Sequence, residues 1–470
     1  MSKTTVPNGL DPGSLDSSLD LTNTSSTIEL TGVVYHIQDD GITINKKLPI
    51  EDEEIKIHPT SDLDALLHVV KSSLGTGVLA IADGFKNAGM VIGLVGTIIV
   101  GILCAHCTYV MVKCSQKMCK TLNKPFLGYT ETVEMAFLYC ANKKFSRYAS
   151  FIKASVEGFM FFTYYGVNTV YILLVASSLQ NVMESHLHWD SDIRIYILIT
   201  TIPIFLVGIV RSMKYLVPFS ALANVLLGVG LCLSFYYMCQ DLPPISSRPN
   251  FAPISKLPLF FSTVLFGMEG IGTMLPIENS MKNPKHFLGC PGVLTIAMSI
   301  VVSLFMLVGF FGYLKFGDEA LGSITLNLPD DWLAETVKAL VALAILFSYG
   351  LQLTASVDVV WKRVENKFRP ENQERAYYLV RTLMIAGTVL LAIAVPQLAP
   401  VISLIGAVGF SMCGFFYPAI VETVIYWESG FGRWRWILWK NIALVIVTIV
   451  AVVSGVMLFI ITIHSNGKTP

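Results

Sequence analysis

Apolar residues gather into repeated runs of about twenty, separated by short polar stretches, over nearly all of the chain after residue 61. A helix rises about 1.5 Å per residue, so such a run matches the roughly 30 Å hydrocarbon core of a bilayer. Each run therefore predicts a membrane-crossing helix. The runs lie near 62–84, 88–112, 150–183, 192–211, 214–239, 257–280, 288–316, 332–357, 376–395, 398–426 and 436–463, eleven in all. The expected fold is an all-α polytopic membrane protein, with a transmembrane domain over 62–463 and a short tail over 464–470.

Two runs depart from an ordinary spanning helix. The first contains Gly75-Thr76-Gly77, and the sixth contains Gly267, Gly270 and Gly272 followed by Pro276. Bare backbone groups in hydrocarbon cost several kcal/mol each, so irregular backbone survives only where protein, water or a ligand satisfies it. Breaks in corresponding members of two five-span halves point to a midplane binding site in a five-plus-five inverted repeat. Interrupted helices expose amides that attract a carboxylate and carbonyls that attract an ammonium or a cation. The competing explanation is close packing of intact helices on small residues, and it weakens once the second cluster falls in the matching span.

Residues 1–61 carry a different pattern, polar and rich in Ser, Thr and Asp, ending in Glu51-Asp52-Glu53-Glu54. No signal peptide is evident, and the segment is expected to be a disordered acidic cytosolic tail. Asn23-Thr24-Ser25 matches a glycosylation sequon that a cytosolic location would leave unmodified.

The chain has 33 basic and 33 acidic residues, yet their placement is uneven. Lys113, Lys117, Lys120, Lys124, Lys143, Lys144 and Arg147 crowd the loop after span two, which puts that loop and the N-terminus in the cytosol. An odd span count then places the C-terminus on the other side. The basic stretch at 361–370 reads as an interfacial loop facing anionic lipid, with no nucleic acid implied. Most of the nine cysteines fall in spans or in the cytosolic loop, so no disulfide pair is evident. Cys104 and Cys107 flank His106, but neighbouring helical positions point about 100° apart and cannot close one tetrahedral metal site, so no metal is expected.

Ionisable residues at membrane depth are functional candidates by default. His68 precedes Gly75 by two helical turns, on nearly the same face, and is suited to hand on a proton. Asp64, one turn earlier, is placed to orient its ring. Glu269 lies inside the sixth-span break, where a carboxylate needs a cation or ammonium partner, and Glu278 beyond Pro276 reads as a cap or gate. His106 in span two is a weaker candidate. Asp83 at the outer end of span one is expected either to be solvated or to attract cations to the mouth, Glu157 to pair with Lys153 one turn away, and Glu422 has no visible partner. The aromatic run 159–171 is expected to pack between helices and to line part of the cavity, with Tyr164, Tyr165 and Asn168 as its candidates for reaching a ligand.

These motifs together are recognisable. The stretch from His68 through Lys71 to Gly75-Thr-Gly77, "KNAG" at 86–89, "AHC" at 105–107 and "MEGIGTMLPIENSMKNP" at 268–284 resemble the proton-coupled amino acid transporter family, within the amino acid/auxin permease superfamily. The resemblance covers about residues 60–465. It implies an eleven-span transporter built on a five-plus-five inverted repeat, small neutral amino acids such as alanine, glycine and proline as substrates, and the proton as coupling ion with no other cofactor. It links the position of His68 to proton coupling, matches His106 to a second histidine of the pattern, and assigns Glu269 and Glu278 to the shared sixth-span motif. The chain differs in having Ser72 and Ser73 where relatives often carry Asn, and Ala82 then Asp83 where they carry Pro.

The expected substrate site comprises Ser73, Gly75, Thr76, Gly77, Gly267, Glu269, Gly270 and Gly272, with His68 and His106 in proton coupling. The expected function is secondary active transport at the plasma membrane, the late endosome or the lysosome. An amino acid sensor that signals nutrient status to cytosolic partners is the alternative. A channel lacks a ring-forming filter here, and an enzyme lacks a nucleophile and base at recognisable spacing.

Overall fold

The computed structural model describes residues 60–140, 143–187, 191–268, 270–289, 291–427 and 430–466, together with the backbone of 26–30, 33–38 and 41–45. Two compact units divide the chain, Met1–His58 and Pro59–Pro470.

In the first unit, strands Ser26–Leu30, Val33–Gln38 and Gly41–Asn45 form an antiparallel sheet in chain order, with Ile28 opposite Tyr35 and Tyr35 opposite Ile44. This departs from the expected unstructured tail. The three segments are rich in β-branched residues and are separated by two residues each, the spacing of the shortest hairpins, which the overall polar composition masked. The rest of that tail, including the sequon, lies outside the described residues.

The second unit is helical. Among the described residues, nine helices are long and apolar enough to cross a membrane, and the bent pair Asp62–Leu74 and Gly77–Ala88 makes a tenth span. Ile193–Gly208, with 16 residues, is the eleventh apolar element and occupies the place of the expected fourth span. In order, the spans are Asp62–Leu74 with Gly77–Ala88, Met90–Leu122, Ala149–Leu187, Ile193–Gly208, Met213–Met238, Leu257–Met268 with Ile271–Ser280, Val293–Phe316, Trp332–Val364, Gln373–Ala394, the interval 398–425, and Trp436–Asn466.

Spans one and six run antiparallel. At one end, Thr60 pairs with Met281 in a bridge, its amide donating to Ser280 O at 2.9 Å while Lys282 N returns to Thr60 O at 3.0 Å. At the other, Ala252 N donates to Ala88 O at 2.9 Å and Met90 N to Pro249 O at 3.0 Å. Gly89 permits that second junction: its φ is +87° and a side chain there would stand 2.8 Å from the Asn250 backbone.

Two features had no counterpart in the sequence pattern. Helix Tyr129–Leu138 folds out of the basic loop after span two. Span ten is α-helical over Leu398–Leu404 and Tyr417–Ile425 but π-helical over Ile405–Phe410 and Met412–Phe416. Such wide turns are frequent at functional sites. A side chain on Gly406 would stand only 2.0 Å from Ser262 O, so this stretch packs directly against span six.

Candidate functional site

The first span begins at a capping box in which Ser61 Oγ accepts from Asp64 N at 3.2 Å. It breaks at Gly75, and the following helix departs at 52°. Among the described residues, the amides of Gly75, Thr76 and Gly77 donate to no backbone carbonyl. Gly77 opens the second half-helix with Thr76 as its N-cap, and every helix start leaves its first amides free. In span six, helix Leu257–Met268 ends at the break, and Ile271–Ser280 resumes after Gly270, whose carbonyl accepts from Thr273 N at 2.8 Å. The two breaks thus bring amide-rich and carbonyl-rich helix ends together.

Glycine makes this contact. A Cβ on Gly77 would sit 2.2 Å from Gly267 Cα, and one on Gly267 would meet Phe305 at 2.3 Å and Gly77 C at 3.3 Å. On Gly272 it would strike Tyr164 Oη at 2.3 Å, and on Gly270 it would crowd Met274, Ser73 and Ser72.

Around the breaks lies a cavity of about 140 Å³. Gly75, Thr76, Gly77, Gly267, Gly270 and Gly272 all line it. Span three contributes Met160, Thr163, Tyr164, Val167 and Tyr171, span eight Gln352, and the π-helical part of span ten Phe410 and Cys413. Tyr129 closes one side, its hydroxyl donating to Cys413 O at 2.5 Å. Of this outer set, the sequence singled out Tyr164. Gln352 and Cys413 carried no local signal, because single polar residues on long apolar helices occur throughout this chain. Ser72, Gly75, Thr76, Tyr171, Thr273 and Gln352 also line an adjacent vestibule of about 630 Å³, which His68 and Lys71 line as well.

Other expected residues fall elsewhere. Ser73 is fully buried behind the break, and its Oγ has no hydrogen-bond partner among the described residues. His68 is exposed in the vestibule, while the Asp64 carboxylate accepts from Ser61 Oγ at 2.7 Å, in the capping box. Glu269 lies outside the described residues. His106 lines a separate groove between spans two and seven with Tyr109, Ser299 and Ser303, and its buried Nε2 is unpartnered among the described residues. Glu278 is 3% exposed and accepts from Gln116 Nε2 at 2.8 Å, so its side chain ties span six to span two and caps nothing; the cap bond uses its main-chain carbonyl.

Several ionic expectations change. Asp83 is buried and pairs with Lys86 at 2.8 Å, whose Nζ also donates to Ala320 O at 2.6 Å. Glu157 pairs with Arg363 at 2.6 Å, and Lys153 pairs instead with Glu134 at 2.8 Å. Glu422 has a partner after all, Lys440 on span eleven at 2.6 Å. Tyr165 donates to Met384 O and Asn168 to Ser356 Oγ, so both brace neighbouring spans.

Known proteins resemble this chain in sequence over most of its length. Residues 58–463 match the family described as transmembrane amino acid transporter protein. The chain is 40% identical over 400 residues to the Drosophila melanogaster proton-coupled amino acid transporter-like protein pathetic, covering 85% of this chain and 84% of that one. It is 23% identical over 411 residues to the probable amino acid transporter skat-1 of Caenorhabditis elegans, covering 86% and 88%. Among solved structures, MhsT in complex with L-phenylalanine aligns at a TM-score of 0.46 and 13% identity, over 85% of this chain and 98% of that one. A multi-pass chain with two broken spans around one cavity, matched over 58–463 and 40% identical to such a relative, belongs to the transmembrane amino acid transporter family.

Proposed function

We propose that this protein is a secondary active transporter that carries small neutral amino acids of the alanine, glycine and proline kind together with a proton. The observation that carries the reading is the cavity itself: free amides of Gly75, Thr76 and Gly77 face the carbonyl ends of the partner break in a space of about 140 Å³. An apolar cavity of roughly this size holds benzene, with about six non-hydrogen atoms, and alanine has as many. The indole of tryptophan exceeds it. The substrate carboxylate binds the amides of span one, and its ammonium binds the span-six carbonyls near Gly267 with Glu269. Alternating access follows from rocking the two half-repeats about this site.

In this reading His68 passes the proton, from the vestibule adjacent to the cavity at the end bearing Asp62 and His286. The basic loops assign that end to the cytosol, with the N-terminus. The working membrane is the plasma membrane, the late endosome or the lysosome, each of which supplies a proton gradient toward the cytosol.

The test is uptake of labelled alanine, proline and tryptophan into proteoliposomes, with and without an imposed acid-outside gradient. Accumulation of alanine and proline only under the gradient is expected, with His68→Ala removing the pH stimulation while leaving exchange intact. Equilibration indifferent to the gradient would overturn proton symport, and binding without flux would favour a sensor.

A further inference from the structure

We propose that the groove between the end of span two and the end of span six is a binding site for a multiply phosphorylated anionic headgroup, and that occupancy restrains the half-helix Ile271–Ser280. The groove has a volume of about 620 Å³, and Lys120, Lys124 and Lys285 line it together with Gln116, Glu278 and Asn279. None of these three lysines forms an ion pair among the described residues. The two preceding lysines on the same helix are occupied: Lys113 lies 5.5 Å over the Tyr109 ring and Lys117 4.2 Å over Tyr426.

Local structure converges the three cations. Asn123, at φ +50°, ends span two in the left-handed conformation, and Lys124 N then returns to Cys119 O at 3.0 Å, so the chain turns back there and Lys120 and Lys124 line the same space. Lys285 enters from the short helix Pro284–His286 after span six. Against these stands one carboxylate, Glu278, which is buried and engaged by Gln116. A second, Glu131, accepts from Gly128 N at 3.1 Å in its own helix cap. Beside the groove, Phe126 is 49% exposed, an apolar contact of the kind that seats at a membrane interface. Basic pockets at helix ends are suited to phosphoinositide headgroups, and each lysine near the surface contributes about 1 kcal/mol.

The consequence for transport comes through the groove floor. Glu278 and Asn279 belong to the same half-helix whose first turn carries Gly272 and Thr273 into the cavity, and Asn279 Nδ2 already anchors it to Leu127 O at 3.1 Å. A headgroup bridging Lys120 and Lys285 would tie this half-helix to span two. The effect on transport rests on the function proposed above, whereas the binding does not.

The experiment is native mass spectrometry and titration of the purified full-length protein with dioctanoyl phosphatidylinositol bisphosphate, inositol trisphosphate and dioctanoyl phosphatidylserine. The triple variant K120Q/K124Q/K285Q is compared with K367Q/R369Q, which removes charge from another basic loop. We expect retained phosphatidylinositol bisphosphate in wild type and K367Q/R369Q, and about a hundredfold weaker binding in the triple variant. Inositol trisphosphate binding as tightly as the lipid would identify a free polyphosphate as the source and still support the site. Absent binding of both phosphorylated probes, equal displacement by phosphatidylserine, or equal loss in both variants would overturn it. In proteoliposomes, the bound lipid should change alanine exchange in wild type and leave the triple variant unaffected; binding without that effect would overturn the restraint of the half-helix.

Discussion

Replacing Gly77 by alanine tests the central contact directly. The new Cβ would lie 2.2 Å from Gly267 Cα and 2.9 Å from Gly267 N, while ordinary contacts begin near 3.4 Å. The neighbour is main chain, so no rotamer change relieves the clash, and the two broken spans must separate by more than 1 Å. Overpacking of this kind costs about 1–3 kcal/mol. The same displacement moves the span-one amides away from a bound carboxylate. Losing one charge-assisted hydrogen bond, about 1.5–3 kcal/mol, weakens binding roughly ten- to a hundredfold. Thermal unfolding of the purified protein and equilibrium binding of labelled alanine measure the two effects separately. Gly77→Ala should melt lower and bind more weakly. Gly75→Ala is the control, since a Cβ there meets nothing within 4 Å: it should leave the melting temperature near wild type while narrowing the cavity, lowering proline uptake more than glycine uptake. A Gly77→Ala protein that melts and binds like wild type would refute the argument that this backbone contact builds the site.

Other outcomes follow from the charge pairs. Glu422→Gln leaves the Lys440 ammonium, 13% exposed, without its partner, and removing one member of a buried pair costs about 3–5 kcal/mol. Glu422→Gln with Lys440→Met should recover most of that loss in a melting comparison; no recovery would mean that Glu422 acts through other contacts. Asp331, capping span eight, is held below the ordinary carboxylate range by hydrogen bonds from Tyr237 Oη and then from Ala334 N. Because the folded form is the stronger acid, this contribution is present above the ordinary carboxylate value and is lost as pH falls through the lowered one. Melting of Tyr237→Phe should therefore lag wild type at neutral pH and converge with it in acid, and a difference independent of pH would count against the assignment.

The spans were legible because each is a local matter of length and apolarity, and all eleven intervals recur as helices or helix pairs. The two breaks were legible for the same reason: Gly75-Thr76-Gly77 and Gly267 to Gly272 are anomalies within single segments. Strands within 26–45 escaped because a polar composition outweighed their β-branched residues. The π-helical turns of span ten escaped because the widening is set where Gly406 meets Ser262 O, a contact across 144 positions of sequence. Tyr129, Gln352 and Cys413 gave no local sign of a shared cavity, because their convergence depends on how three separate helical segments pack.

Sequence by itself determined the eleven apolar intervals that form the spans, where the first and sixth of them break, and that histidine and glutamate stand near those breaks. Each follows from the cost of leaving backbone or charge unsatisfied in hydrocarbon, a cost charged residue by residue along the chain. Tertiary structure alone decided the partners. Glu157 took Arg363 and left Lys153 to Glu134, Glu278 took Gln116, and His106 came to rest in a groove apart from the cavity. Neighbours along a helix fix only which face a side chain shares, whereas hydrogen-bond distance to another span is set by how the helices cross.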